Sequence, residues 1–297
     1  MSSTTVGVVG LGQMGLGMAT SLAGKGFAVL GCDLSAERRA LAEAAGIRVA
    51  PLSDVAANCA VVVLSLPMAA HVADVVERPD GLLASLPRGA VIVDTSTSEA
   101  SVSRRLATVA GERGIGFLDA PVSGGVAGAA SGALTMMIGG TAEALETARP
   151  ALAAMATRIF HVGPSGAGNV AKLVNNLLVA AHLLTVSEAM RLAEAAGVPT
   201  AAALQVVNVS TGRSAVSEIN FPRWIETGTF DSGFTMGLMR KDVRLALELA
   251  AESGCTLPVS ELVGRTWKHS AATLADGQDF NRIATLTPAP EASDGNP

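Results

Sequence analysis

Tyrosine is absent from the 297-residue chain. No phenolic hydroxyl can therefore carry a proton here, and chemistry that depends on one is excluded. Aromatic residues total 3%, so any core must be built mainly from Ala, Val, Leu and Ile. The three cysteines, Cys32, Cys59 and Cys255, are odd in number and far apart. They lack metal-ligand spacing and fit reduced thiols in a cytoplasmic setting, each a small buried apolar residue. The four histidines form no cluster with Asp or Glu, so no metal is expected. Charged residues make up only 16%, the net charge is −5, and Lys and Arg form no patch suited to nucleic acid. No unbroken apolar run approaches the ~20 residues of a membrane span. Met1–Thr5 has neither a basic n-region nor a signal-peptide core. These absences predict a cytoplasmic protein with no nucleic-acid partner and no membrane partner.

What is present falls into two grammars. In the first half, short apolar runs alternate with helical patterns. Val6–Val9, Phe27–Leu30, Ala60–Leu64, Ala90–Val93, Phe117–Leu118 and Thr135–Ile138 read as strands. Alternation of this kind predicts an α/β Rossmann-type domain, a parallel sheet with helices on both faces. After Gly163 the strand signals stop. Residues 166–196 read as one long Ala- and Leu-rich helix, followed by helical stretches at 201–207, 234–253 and 259–275. The expected division is a dinucleotide-binding domain at 1–163 and an all-α substrate and oligomerisation domain at 164–286. Residues 287–297, rich in Pro, Ala, Asp, Gly and Ser, read as a disordered tail. The long helix is apolar almost all round, which calls for burial. A homodimer or homotetramer is expected.

Gly10, Gly12 and Gly15 form G-x-G-x-x-G, with Leu11, Gln13 and Met14 between them. The motif follows a strand and opens a helix, and Asp33 ends the next strand about 20 residues on, as a dinucleotide site requires. The first glycine permits the turn, the second lets the backbone approach a pyrophosphate, and the helix N-terminus favours the phosphate charge. Asp33 can accept hydrogen bonds from ribose hydroxyls and would repel a 2′-phosphate, so NAD is favoured over NADP. Arg38 and Arg39, just downstream, argue the other way. Leu66-Pro67 and Thr97 lie in loops after later strands, where open α/β sheets bind ligands. Leu66 and Pro67 suit the adenosine or ribose side and Thr97 the nicotinamide side; His71, just beyond, can approach the cofactor.

Ser123-Gly124-Gly125 follows another strand and offers backbone N–H groups and a hydroxyl, a chemistry suited to a carboxylate. Lys172 and Asn176 lie four residues apart, on one face of the long helix. A lysine there can exchange a proton with an alcohol oxygen while the asparagine holds it. The acid/base role in oxidation needs a lysine pKa lowered by burial or by nearby cations such as Arg240 or Lys241. His161 lacks an Asp partner legible in the sequence, and His182 and His269 read as structural.

Four blocks in order resemble the β-hydroxyacid dehydrogenase family, which includes 3-hydroxyisobutyrate dehydrogenase and tartronate semialdehyde reductase. They are Gly10–Gly15, Asp119–Gly125, Gly163–Asn176, and Lys241-Asp242 preceded by Phe234 and Leu238. The resemblance implies an NAD-dependent oxidoreductase that moves a hydride between nicotinamide and a small 3-hydroxy acid or its semialdehyde. It implies Lys172 as acid/base, Asn176 as substrate holder, Ser123, Gly124 and Gly125 as the carboxylate site, and Lys241 at the cofactor. Family members that prefer NADP commonly carry Asn-Arg where this chain has Asp33-Leu34. Ala100 replaces a usual proline. An imine reductase, or a dinucleotide-binding protein without catalysis, is the alternative; Lys172 and Asp33 weigh against the first, and Lys172 with Asn176 against the second.

Overall fold

The computed structural model describes residues 5–286. The sequence supplies runs such as Val61-Val-Val-Leu64, apolar on both strand faces, and such runs form strands buried on both sides. Val61 and Val63 enter one hydrophobic core, while Val62 and Leu64 enter another on the opposite face. The sheet strands are β1 (Thr5–Val9), β2 (Ala28–Cys32), β3 (Arg48–Val49), β4 (Val61–Leu64), β5 (Val91–Asp94), β6 (Gly116–Asp119), β7 (Val122–Ser123), β8 (Leu134–Gly139) and β9 (Ala156–Gly163). Their order is β3-β2-β1-β4-β5-β6-β8-β7, with β9 paired to β8.

The first six strands are mutually parallel. The fully parallel sheet expected from the sequence ends there: β8 runs antiparallel to β6 and β7, and β9 runs parallel to β8. The covering helices are α1 (Gln13–Gly24), α2 (Ala36–Ala44), α3 (Leu52–Asn58), α4 (Ala69–Glu77), α5 (Leu82–Ser85), α6 (Ala100–Glu112), α7 (Gly125–Ser131) and α8 (Ala142–Met155).

The chain divides into compact units at Leu173 and Val174, inside the long helix α9 (Ala167–Ala195). The second unit is helical: α10 (Thr200–Asn208), a π-helical segment Val216–Ile225, α11 (Met236–Glu252), α12 (Pro258–His269), and short 3-10 turns at Ser270–Ala272 and Phe280–Thr285. Its own core includes Leu183, Met190, Met239 and the fully buried Trp267. Trp267 donates its indole N–H to the Ala180 carbonyl at 3.2 Å. By length and composition α9 would reach across a membrane, although no unbroken apolar run predicted it; 39% of its most apolar window is buried within the structure. A core helix passes the same test, and Lys172, Asn175 and Asn176 interrupt its apolar sequence. The tail predicted at 287–297 lies outside the described residues.

Candidate active site

The strand ends are in register. Val9 pairs with Cys32 and with Leu64, Leu64 with Asp94, and Asp94 with Asp119. The loops beginning at Gly10, Asp33, Ser65, Thr95 and Ala120 therefore leave one edge of the sheet side by side. The chain passes from β1 to β2 in one direction and returns to β4 on the other side of β1, and such switch points form ligand crevices.

At that point Gly10 adopts φ +91°, and its N–H bonds the Cys32 carbonyl at 2.8 Å. A side chain on Gly15 would collide with the Gly10 carbonyl oxygen, and one on Gly10 with the Ser65 carbonyl oxygen. Gly12 differs: a Cβ there would meet nothing within 4 Å. Protein packing requires the outer two glycines, whereas the backbone at the middle one is left open to the outside. Gly12 is also the N-cap of α1, beside Gln13 and Met14, where helix N–H groups lack intrahelical partners. A pyrophosphate fits this cradle.

Asp33 binds the same loop. Its Oδ2 accepts the Leu11 N–H at 2.6 Å and its Oδ1 the Ser35 N–H at 2.8 Å. A carboxylate offers about four lone-pair sites, so capacity for ribose hydroxyls remains. Arg39, which argued for a 2′-phosphate, donates Nη1 to the Asp33 and Leu34 carbonyls, each at 2.9 Å. The loops after β4 and β5 are tied together, since Leu66 N–H donates to Ser96 Oγ at 3.0 Å. Pro67 is exposed, Thr97 is half-buried, and His71 stands exposed in the first turn of α4.

Ser123 pairs with Thr135 at the end of β7. Gly124 (φ +125°) and Gly125 then turn the chain into α7; both are exposed, and a Cβ on Gly125 would meet nothing within 4 Å. As at Gly12, open space stands where a side chain would go.

Lys172 is only 8% exposed in the second turn of α9. The start of that helix is held by Asp119, whose Oδ1 accepts the Gly166 N–H at 2.7 Å and Oδ2 the Asn169 N–H at 3.0 Å. Burial pushes the Asp119 carboxyl above its ordinary value, and the backbone donors Gly166, Asn169 and Gly168 oppose that rise. In the helical unit, buried Asn176 donates Nδ2 to Asp242 Oδ2 at 2.6 Å, and Lys241 Nζ lies 3.2 Å from Asp242 Oδ1. Arg240, named above as a possible source of positive field, is committed within its own unit. It bonds the Trp267 and Leu274 carbonyls, Ser270 and Asp276.

Two family models match in tandem. The NAD-binding domain of 6-phosphogluconate dehydrogenase covers residues 5–163, and the NAD-binding domain of NADP-dependent 3-hydroxyisobutyrate dehydrogenase covers residues 166–287. The chain belongs to the β-hydroxyacid dehydrogenase family. This β-hydroxyacid dehydrogenase is 40% identical over 264 residues to the NAD-dependent L-serine dehydrogenase of Pseudomonas aeruginosa, covering 86% of this chain and 89% of that one. It is 35% identical over 282 residues to 2-(hydroxymethyl)glutarate dehydrogenase of Eubacterium barkeri, covering 95% and 94%. The solved Mycobacterium tuberculosis 3-hydroxyisobutyrate dehydrogenase with L-serine superposes with TM-score 0.89 at 33% identity, over 95% of this chain and 98% of that one. An imine reductase from Pseudomonas sp. shares only the fold, at 18% identity and TM-score 0.61.

Sequence reasoning missed four polar residues that hydrogen-bond to candidate site residues or to the loops and helix that carry them, three in the first unit (Ser96, Asp119 and Asn169) and Asp242 in the second. All are buried. Asp119 and Asp242 lay inside quoted motifs, but their hydrogen bonds join positions 47 and 66 residues away, which no local pattern reveals.

Proposed function

We propose that this dehydrogenase uses NAD to oxidise small 3-hydroxy acids, or to reduce the matching semialdehydes, with Lys172 as general acid/base. The observation that carries the reading is the pairing of the open glycine turn at the N-terminus of α1 with a buried lysine on the helix whose start Asp119 holds. Nicotinamide, when bound, accepts or returns the hydride. Gly10–Gly15 with Leu11, Gln13 and Met14 would hold the pyrophosphate, and Asp33 the adenosine ribose. Leu66, Pro67, His71, Thr97 and Lys241 would contribute further cofactor contacts. Asp33 repels a 2′-phosphate and Arg39 is turned to backbone carbonyls, which supports NAD over NADP.

Ser123, Gly124 and Gly125 would anchor the substrate carboxylate through a hydroxyl and backbone N–H groups. Lys172 Nζ takes the hydroxyl proton in oxidation and gives it back in reduction. Asn176, braced by Asp242, holds the substrate oxygen toward that lysine. The acids in the names of the serine, 3-hydroxyisobutyrate and 2-(hydroxymethyl)glutarate relatives share one fragment, a hydroxymethyl group on the carbon bearing the carboxylate. That fragment is the proposed substrate class. The unpaired thiols support cytoplasmic residence, and exposed apolar residues on α9 support a homodimer or homotetramer. Domain roles follow: 1–163 for the dinucleotide, 164–286 for substrate and assembly.

The test is a screen of 3-hydroxyisobutyrate, L-serine and 2-(hydroxymethyl)glutarate with NAD and NADP, run on wild type and Lys172→Ala. Wild type should turn over at least one acid with NAD preferred. Lys172→Ala should lose at least 10²-fold in kcat, the scale of acid/base catalysis, while NADH titration stays near wild type. Activity surviving in the variant would remove Lys172 from the chemistry, and binding without turnover across the panel would favour a non-catalytic protein.

A further inference from the structure

Asn169 is fully buried, with 0% exposure. An amide taken out of water costs free energy unless its polar atoms are paired, and here the backbone N–H, Oδ1 and Nδ2 each have a partner. Its backbone N–H goes to Asp119 Oδ2 at 3.0 Å. Its Oδ1 accepts the Ser98 N–H at 3.0 Å, and its Nδ2 donates to Ser103 Oγ at 3.0 Å. The side chain thus binds the backbone residue next to Thr97 and the first turns of α6, 71 and 66 residues away. Asn169 also precedes Lys172 by three residues, within one turn of the same helix.

We infer that Asn169 is a positioning residue that locks the Thr97–Ser98 cofactor loop to the helix segment carrying Lys172. The inference rests on the proposed roles of Lys172 and Thr97. An apolar residue of similar volume would fill the space without the desolvation cost. What the amide adds is direction: a buried polar group bonded through both its oxygen and its nitrogen favours one arrangement of the parts it joins. Hydride and proton transfer must occur in one geometry, and a displacement of about 1 Å can cost on the order of 10²-fold in rate. The amide spans the two places where those events are held, the loop beside nicotinamide and the lysine beside the alcohol. Asp119 supports the same joint from the other side, because it receives the Asn169 and Gly166 N–H groups.

The test uses the full-length enzyme and its best acid from the screen. Asn169→Ala should lower kcat by about 10- to 100-fold, with a larger primary deuterium isotope effect as hydride transfer becomes rate-limiting. KM for NAD should rise several-fold. A merely structural role would lower the melting temperature and leave kcat, KM and the isotope effect of the folded enzyme at wild-type values, which would overturn the assignment. Ser103→Ala frees one anchor and keeps the Ser98 bond, so it should move the same three quantities in the same direction by a smaller factor. If Asn169→Ala does not fold, Ser103→Ala decides: wild-type kinetics overturn the assignment, reduced kcat with a raised isotope effect sustains it. Lys172→Ala, assayed in parallel, separates the two readings, since activity surviving there removes the lysine's role whatever Asn169 does.

Discussion

Gly12 and Gly15 are three residues apart, and their surroundings are opposite. At Gly15 the space is taken by the Gly10 carbonyl, so a methyl group forces the turn and α1 apart. At Gly12 the space is open, so a methyl group clashes only with what binds there. Gly12→Ala should therefore melt close to wild type and lose at least tenfold in NADH affinity. Gly15→Ala should be destabilised by about 1–3 kcal/mol, the usual cost of overpacking, in addition to any loss of binding. Thermal melts and NADH titrations of the two variants check this; a Gly12 variant that unfolds early but binds normally would contradict it. Asp33 illustrates the same scale from the polar side. Its carboxylate is part of the loop's own structure through Leu11 and Ser35, so its replacement by Asn should disturb the loop as well as the proposed ribose contact.

Among the elements, those with a strong period were legible and those shaped by tertiary contact were not. Val61–Leu64 was readable because both faces are buried and the run is short and rich in β-branched valine, which favours a core strand over a helix. β3 and β7 have two residues each and give no period to read. The π-helical segment Val216–Ile225 contains Pro222, a residue that argues against any helix. The same contrast holds among the candidate site residues. Glycines, Lys172 and Asn176 announce themselves by type and spacing, whereas the side chains that brace them are recognisable only once distant strands and helices meet.

The start of α9 shows the consequence. Asp119 receives the Gly166 and Asn169 N–H groups, and Asp119→Ala leaves both without a partner in a buried place. Each orphaned donor costs about 1–3 kcal/mol, to be read from urea unfolding, with faster hydrogen exchange in the first turn of α9. The pH dependence has a definite sign. Because burial raises the Asp119 pKa above 3.8, the folded state holds the proton more tightly than the unfolded chain. The part of wild-type stability linked to this proton is complete below 3.8 and is lost as pH rises through the raised value. The difference between wild type and Asp119→Ala should shrink over that interval; a difference that grows with pH would mean the carboxylate is favoured in the fold.

At the scale of the whole molecule, the apolar surface of α9 sets the expected assembly. Val174 is 52% exposed, Leu178 54% and Leu192 71%. Val174 and Leu178 are one turn apart and share a face, so they form a stripe rather than scattered contacts. A charged chain of net −5 with only 16% charged residues has little electrostatic repulsion to keep such a stripe in water. A second copy of the chain presents the same stripe, and two-fold pairing lets each helix cover its counterpart. Light scattering behind size exclusion should give wild type a mass at least twice 29.8 kDa. Leu178→Glu combined with Val174→Lys places charge at the centre of that stripe and should shift the mass toward a single chain. Activity measured in the same fractions then separates assembly from catalysis. A variant that becomes a single chain and keeps turnover shows that each protomer holds a complete site, and a wild type that already elutes at 29.8 kDa leaves the stripe without the partner argued here.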